Sequence, residues 1–223
     1  MICNIAIDGP AGAGKSTIAK RVAKELSYIY VDTGAMYRAM ALYLIRQGVD
    51  ASSRDAIIKS CDGADISIEY RNGEQIVLLN GENVNAYLRT EEVSNMASVS
   101  SAIAEVRAKL LSLQRDLAKK QSVVMDGRDI GTTILPDAQV KIYLTASSLT
   151  RAKRRFLELS EKGETLSLEE IQKDIEERDE RDMNRKVSPL KQAEDAVYVD
   201  SSDMKIEEVV DTILRITKEK TGE

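Results

Sequence analysis

The run Gly9-Pro10-Ala11-Gly12-Ala13-Gly14-Lys15-Ser16, followed by Thr17, fits G-x-x-x-x-G-K-[ST] at every fixed position. Glycines at these places let a backbone wrap a phosphate chain with its N–H groups turned inward, and a following helix adds the positive end of its dipole. Lys15 is placed to reach terminal phosphates, and the Ser16 hydroxyl to ligate Mg²⁺. Such a loop holds a nucleotide without saying what is done with it. Nothing reads as Asn-Lys-x-Asp, which weakens a GTPase, and 223 residues are few for a mechanical ATPase.

Three further constellations could carry chemistry. Val123-Val124-Met125-Asp126 is an apolar run ending in a carboxylate able to join a Mg²⁺ shell. It leads into Gly127-Arg128-Asp129-Ile130-Gly131, by itself an ordinary polar turn, but behind a strand ending at an active edge better read as backbone pressed close to a ligand. Asp32-Thr33-Gly34-Ala35-Met36-Tyr37-Arg38 follows another short apolar run. Thr33 there could cap a helix, with Tyr37 and Arg38 one turn in, near where an anion would sit; a plain cap with a surface arginine fits the spacing equally. Arg178, Arg181, Asp182 and Arg185 fall at i, i+3, i+4 and i+7, one helix face, and Arg151, Arg154 and Arg155 repeat the start of that pattern. Alone, this spacing favours a solvated face laced by pairs such as Glu177 with Arg181. Several guanidiniums on one face also suit a transferring phosphoryl group, whose equatorial oxygens need fixed positive donors. The chain has no histidine, which excludes a His base, a Ser-His-Asp triad and a His-ligated metal.

The elements that must position these residues alternate. Apolar runs at 2–7, 28–31, 122–125, 139–145 and 196–199 predict five buried strands, four of them ending at Asp8, Asp32, Asp126 and Asp200. Between them, helical periodicity marks 15–26, 35–46, 91–119, 149–161 and 167–183 and a last helix after Asp200; Ser167-Leu168-Glu169-Glu170 opens one of these as a capping box. Strand–helix alternation predicts a parallel sheet covered on both faces, with ligands outside the carboxyl ends of its strands. The carboxylates would gather there, although Asp200 reads better as a simple turn cap. From 64 to 88 the texture changes: Ile66, Ile68 and Tyr70 alternate, and Asn72-Gly73 and Asn80-Gly81 flank Ile76-Val77-Leu78-Leu79. Asn-Gly between apolar runs predicts a small antiparallel sheet inserted into the strand–helix frame.

Composition narrows the setting. With 43% hydrophobic and 31% charged residues the chain is expected to be a soluble globular protein. A net charge of −5 argues against nucleic acid as main partner, no apolar run is long enough to span a membrane, and the N-terminus lacks a signal-peptide pattern. Cys3 and Cys61 are far apart and form no metal-ligand spacing, so two reduced thiols in a cytoplasmic protein are expected.

Taken in order, Gly9–Thr17, Asp32–Arg38, the run Asp126-Gly127-Arg128-Asp129-Ile130-Gly131-Thr132 and the run Arg178-Asp179-Glu180-Arg181-Asp182-Met183-Asn184-Arg185 resemble the bacterial cytidylate kinases, P-loop nucleoside monophosphate kinases, over essentially the whole chain. The resemblance implies an α/β, three-layer P-loop fold: a five-stranded parallel sheet, an inserted small antiparallel sheet and a short helical lid. It divides the chain into a core at 1–60 and 101–223, with the lid about 151–165, and an inserted monophosphate-binding domain at 61–100. It implies ATP and CMP or dCMP as substrates, Mg²⁺ as cofactor and a monomer. Ser98, Arg107 and Asp129 would read the cytosine edge. Tyr37, Arg38, Arg128 and Arg185 would hold the CMP phosphate with Thr33 beside them, and Arg178 and Asp182 would approach the sugar hydroxyls. Gly9 to Thr17 and the lid residue Arg154 would bind ATP; Lys15, Arg128, Arg181 and Arg185 would stabilise transfer; Ser16 and Asp126 would hold the metal. Relatives often carry a proline two residues before Val106-Arg107, where this chain has Ala104. Other small P-loop kinases, acting on UMP, AMP, dTMP or shikimate, and a nucleotide-binding switch without transfer activity, are the alternatives.

Overall fold

A computed structural model describes residues 2–161, 163 and 165–222, so positions 162 and 164 of the expected lid lie outside the described residues. In chain order the elements are β1 (Asn4–Asp8), α1 (Lys15–Leu26), β2 (Ile29–Asp32), α2 (Thr33–Arg46), α3 (Arg54–Cys61), β3 (Ile66–Arg71), β4 (Glu74–Leu79) and β5 (Glu82–Asn83). There follow α4 (Glu91–Ser100), α5 (Ala104–Lys120), β6 (Val123–Gly127), β7 (Val140–Thr145), α6 (Ser148–Glu161), α7 (Leu168–Asn184), β8 (Val197–Asp200) and α8 (Ile206–Thr221).

The five buried runs form one parallel sheet in the order β2-β6-β1-β7-β8, and β3, β4 and β5 form the separate antiparallel sheet. The expected fold class is therefore what the chain adopts. Alternate residues of the parallel strands feed two cores. Ile5, Ile7, Val124, Val140, Ile142 and Leu144 meet α1 and α8. Ala6, Val31, Val123 and Met125 meet α2, α4 and α5 on the other face. Each large side chain sealed in this way contributes about 1.5–3 kcal/mol. Val77, Leu79 and Val84 of the small sheet join the second core. The small sheet also covers β2, the sheet's outer strand: Tyr70 donates to the Tyr30 carbonyl at 3.0 Å, while Gln75 Oε1 accepts from Asp32 N at 2.9 Å. An edge strand left with free N–H and C=O groups is an aggregation template, and this cover removes it.

Parallel register brings Asp8 beside Gly127 and Asp32 beside Asp126, so the carboxylates gather at one sheet edge. Asp200 instead accepts from Ser202 N at 2.9 Å, the turn-capping role expected of it. The helical stretch at 91–119 is two helices broken at 101–103, and Ala104 is the first residue of α5, with extended Ile103 as its cap. A proline there would occupy the first helical turn, where it is tolerated but not needed. Gly9 allows the phosphate loop to leave β1: its φ is +152°, and a Cβ there would lie 1.9 Å from the Leu144 carbonyl oxygen of β7. Gly9→Ala should therefore cost about 3 kcal/mol, a fall in Tm of roughly 6–12 °C by thermal melt. An unchanged Tm would show that the loop can leave the strand by another route.

Candidate active site

Lys15, the first residue of α1, is buried, and its ammonium donates to the Pro10 carbonyl at 2.7 Å. Burial and the nearby Arg128 guanidinium push Lys15 down to about 7, against the pull of Asp126, Asp8 and Asp182. A phosphate chain in the loop would restore the charged form. Nucleotide binding at pH 8 should then take up close to one proton, an uptake that shrinks as pH falls below 7, where Lys15 is already charged. Calorimetry in two buffers of different ionisation enthalpy reads this directly; equal heats at pH 8 would contradict it.

Ser16 Oγ donates to Asp126 Oδ2 at 3.0 Å, and the Tyr30 hydroxyl donates to Oδ1 at 2.8 Å. Burial, with Asp32 nearby, raises Asp126 to about 6. The Ser16 hydroxyl and the Asp126 carboxylate thus meet at the mouth of the phosphate loop, with the Tyr30 hydroxyl behind them. No group of three or more metal-ligating side chains exists among the described residues. This donor set fits Mg²⁺, which binds through one or two protein oxygens and otherwise through phosphates and water. Thr33 does not cap α2: Asp32 does, accepting from Ala35 N at 2.8 Å, because its carboxylate sits at the strand end where the first turn exposes its N–H groups. The Thr33 hydroxyl donates to the Asp126 carbonyl at 2.7 Å and ties β2 to β6.

Beside the loop lies a lattice of guanidiniums and carboxylates. Asp129 accepts from Arg107 Nη2 and lies 3.5 Å from Arg185 Nη2. Asp182 of α7 accepts from Arg128 Nε at 2.8 Å and lies 3.8 Å from Arg185 Nη1. Arg38 is paired with Asp32 at 3.0 Å. Arg107 stands over the Tyr37 ring at 5.3 Å and also donates to the Ser101 carbonyl at 3.2 Å. Ser98, one turn earlier on α4, is half-buried and its carbonyl accepts from Ser101 Oγ. The loop carrying Arg128 and Asp129 is held by Asp8, which accepts from Ile130 N and Gly131 N at 2.7 Å each, while burial raises Asp8 to about 6. Burial opposes ionisation of Asp182 too, but Arg128, Arg185 and Arg178 hold it below the usual carboxylate range.

Arg38, Arg107, Arg128, Arg178 and Arg185 thus face the carboxylates of Asp32, Asp129 and Asp182, leaving positive charge in excess. Arg38 Nε, Arg178 Nε and Arg185 Nη2 are buried without a hydrogen-bond partner. Burial, with Arg128 and Arg38 near, pushes Arg178 down to about 10. Cations crowded together and short of acceptors are what an anion would relieve.

Not every expected residue joins this lattice. Arg181 is exposed, and Glu177 is 3.9 Å from Lys173 rather than paired with Arg181. Arg154 binds Ser201 at the end of β8, donating to its carbonyl at 2.7 Å, with Nη1 4.0 Å from where a Cβ on Gly14 would stand. Arg151 is no surface residue: it is buried against Asp179 at 2.6 Å, a pairing of two separate helices that spacing does not reveal. The partners of Tyr30, within β2, and of Asp8, at the end of β1, are visible only in the fold, although Asp8's place at a strand end marks it.

The sequence profile described as cytidylate kinase matches residues 5–219. A cytidylate kinase of Caldicellulosiruptor saccharolyticus is 51% identical over 213 residues, 96% of this chain and 94% of that protein. Cytidylate kinases of Lactobacillus johnsonii (49% over 219 residues, 98% and 95%) and Shouchella clausii (48% over 216 residues, 97% and 96%) are similar at full length as well.

Proposed function

The chain belongs to the cytidylate kinase family, and we propose that it transfers the γ-phosphoryl group of ATP to CMP, and to dCMP, giving the nucleoside diphosphate and ADP. The observation that carries this reading is a cluster of guanidiniums, Arg38, Arg178 and Arg185, each with a buried nitrogen that makes no hydrogen bond, beside the phosphate-loop lysine and suited to a second anion. A nucleotide switch has no evident use for such a site.

In this reading Gly9, Pro10, Ala11, Gly12, Ala13, Gly14, Lys15, Ser16 and Thr17 wrap the ATP phosphates, and Arg154 lies over the loop from the lid side. Tyr37, Arg38, Arg128 and Arg185 seat the CMP phosphate, with Thr33 fixing the strand ends beneath. Arg178 and Asp182 face the sugar, and Ser98, Arg107 and Asp129 the cytosine edge. Ser16 and Asp126 would hold Mg²⁺, which neutralises charge on the phosphate oxygens when bound. No general base is required, because the attacking phosphate oxygen of CMP is already ionised. The residues must align two polyanions in line and compensate charge moving onto the bridging oxygen, work suited to Lys15, Arg128 and Arg185. Arg181 becomes part of this set only if α6 and α7 move inward; such closure of the 151–165 segment would also exclude water and suppress ATP hydrolysis. Residues 61–100 serve as the monophosphate-binding insertion of a monomeric, cytoplasmic enzyme; among the described residues no helix is long and apolar enough to cross a membrane.

Initial rates of ADP release from Mg²⁺ and ATP against CMP, dCMP, UMP, AMP, GMP, dTMP and shikimate test the reading. Fast release with CMP and dCMP and much slower release with AMP and GMP is the expected result. Release with none of them, from protein that binds ATP, would leave only the phosphate loop standing.

A further inference from the structure

We infer that the buried pair Arg151–Asp179 is a positioning device that couples the nucleotide loop to the acceptor pocket, so that filling either site tightens binding at the other. The inference rests on the kinase reading above. Arg151 of α6 donates from Nη1 to the Ala11 carbonyl at 2.8 Å, and from Nε to the Ala146 carbonyl at 2.9 Å. Asp179 of α7 accepts from Ala11 N at 3.2 Å and lies 2.6 Å from Arg151 Nη1. Both backbone groups of one phosphate-loop residue therefore end on a single ion pair whose members are 6% and 7% exposed. The next loop residue is pressed against the same helices: a Cβ on Gly12 would lie 3.4 Å from Arg151 Cβ and 3.9 Å from Ile175 Cδ1.

The two helices share a small core of Ala152, Leu159, Ile171 and Ile175, which makes them shift together. On α7 the clasp residue is flanked by the acceptor residues. Arg178 precedes it, and Asp182, which holds Arg128, follows at a rise of about 4.5 Å. A single rigid turn thus touches the donor loop through Asp179 and the acceptor lattice through Arg178 and Asp182. Any adjustment of Ala11 as phosphates enter the loop is passed to that lattice, and linkage makes the effect reciprocal. A buried ion pair is a poor stabiliser beside apolar packing of the same volume, so its presence here suits positioning better than stability.

The test is the Kd of CMP measured alone and with saturating Mg²⁺ and a non-hydrolysable ATP analogue. It is made on the parent, Asp179→Asn, Arg151→Lys and the double variant Arg151→Met/Asp179→Leu, which keeps the space filled if a single change unfolds the chain. The parent should bind CMP about fivefold or more tightly with the analogue present. In Asp179→Asn and the double variant that ratio should fall close to one, with CMP affinity measured alone little changed. Arg151→Lys, which keeps the charge but loses the fork, should keep part of the ratio. A folded double variant with the parent's ratio, or a parent ratio of one, would overturn the coupling. A parent that binds the analogue but no CMP would overturn the acceptor reading itself.

Discussion

Lys15→Ala should lower kcat by on the order of a hundredfold or more while leaving KM for CMP within a few fold. Lys15 is the only cation the phosphate loop itself supplies, and its ammonium sits 2.7 Å from a loop carbonyl, ready to turn to a phosphate oxygen. In a dry site a preorganised charge acts chiefly on the transition state, so its loss appears in kcat rather than in acceptor binding. Burial that holds Lys15 down to about 7 adds a second signature. Removing the buried ammonium should raise thermal stability slightly below pH 7, where the charged form is the costly one, and have less effect above it. Steady-state kinetics decide the first part: a kcat loss below tenfold would remove Lys15 from its role.

Arg185→Ala should be of similar size in kcat, and unlike Lys15→Ala it should raise KM for CMP as well. Arg185 lies between Asp129 and Asp182, at 3.5 Å and 3.8 Å, and its buried Nη2, held near Asp129 without a hydrogen bond, can turn to an anion. Truncation removes that donor and leaves two carboxylates facing the acceptor phosphate with less compensation. Arg185→Lys keeps the charge but not the planar fork, and should recover only part of the loss. Equal activity of Arg185→Ala and the parent at saturating CMP would place the guanidinium outside the transferring group's surroundings.

Where a residue type alone dictates local structure, the sequence was readable. Gly9 and Lys15 announce a phosphate loop because few other uses require them together. Asn72 and Asn80, at φ +53° and +50°, announce hairpin turns because asparagine tolerates the left-handed region. Strand ends at Asp8 and Asp32, and one residue past Asp126, were readable because apolar runs stop there. The choice of Asp32 over Thr33 as cap was not, since both side chains can accept from a first-turn N–H and only the strand's exit decides. The short helix α3, with Ile57 and Cys61 buried and Ile58 partly so, was too brief to show a period. Least visible was the Arg151–Asp179 clasp. Its bonds to Ala11 span 140 and 168 residues, and on either helix alone each charge looks like one more solvated side chain. Family resemblance suggested roles for Ser98, Arg107 and Asp129, whereas only the fold brings Arg107 to Asp129 over the Tyr37 ring.

The most direct test of the central claim is a competition. Limiting ATP with Mg²⁺ is given to the protein with CMP, UMP, AMP, GMP and dTMP at equal concentration, and the diphosphates are separated by anion exchange. CDP should be the main product, formed one for one with the ATP consumed. Another diphosphate in excess, or ATP lost to inorganic phosphate with no diphosphate formed, would contradict the assignment.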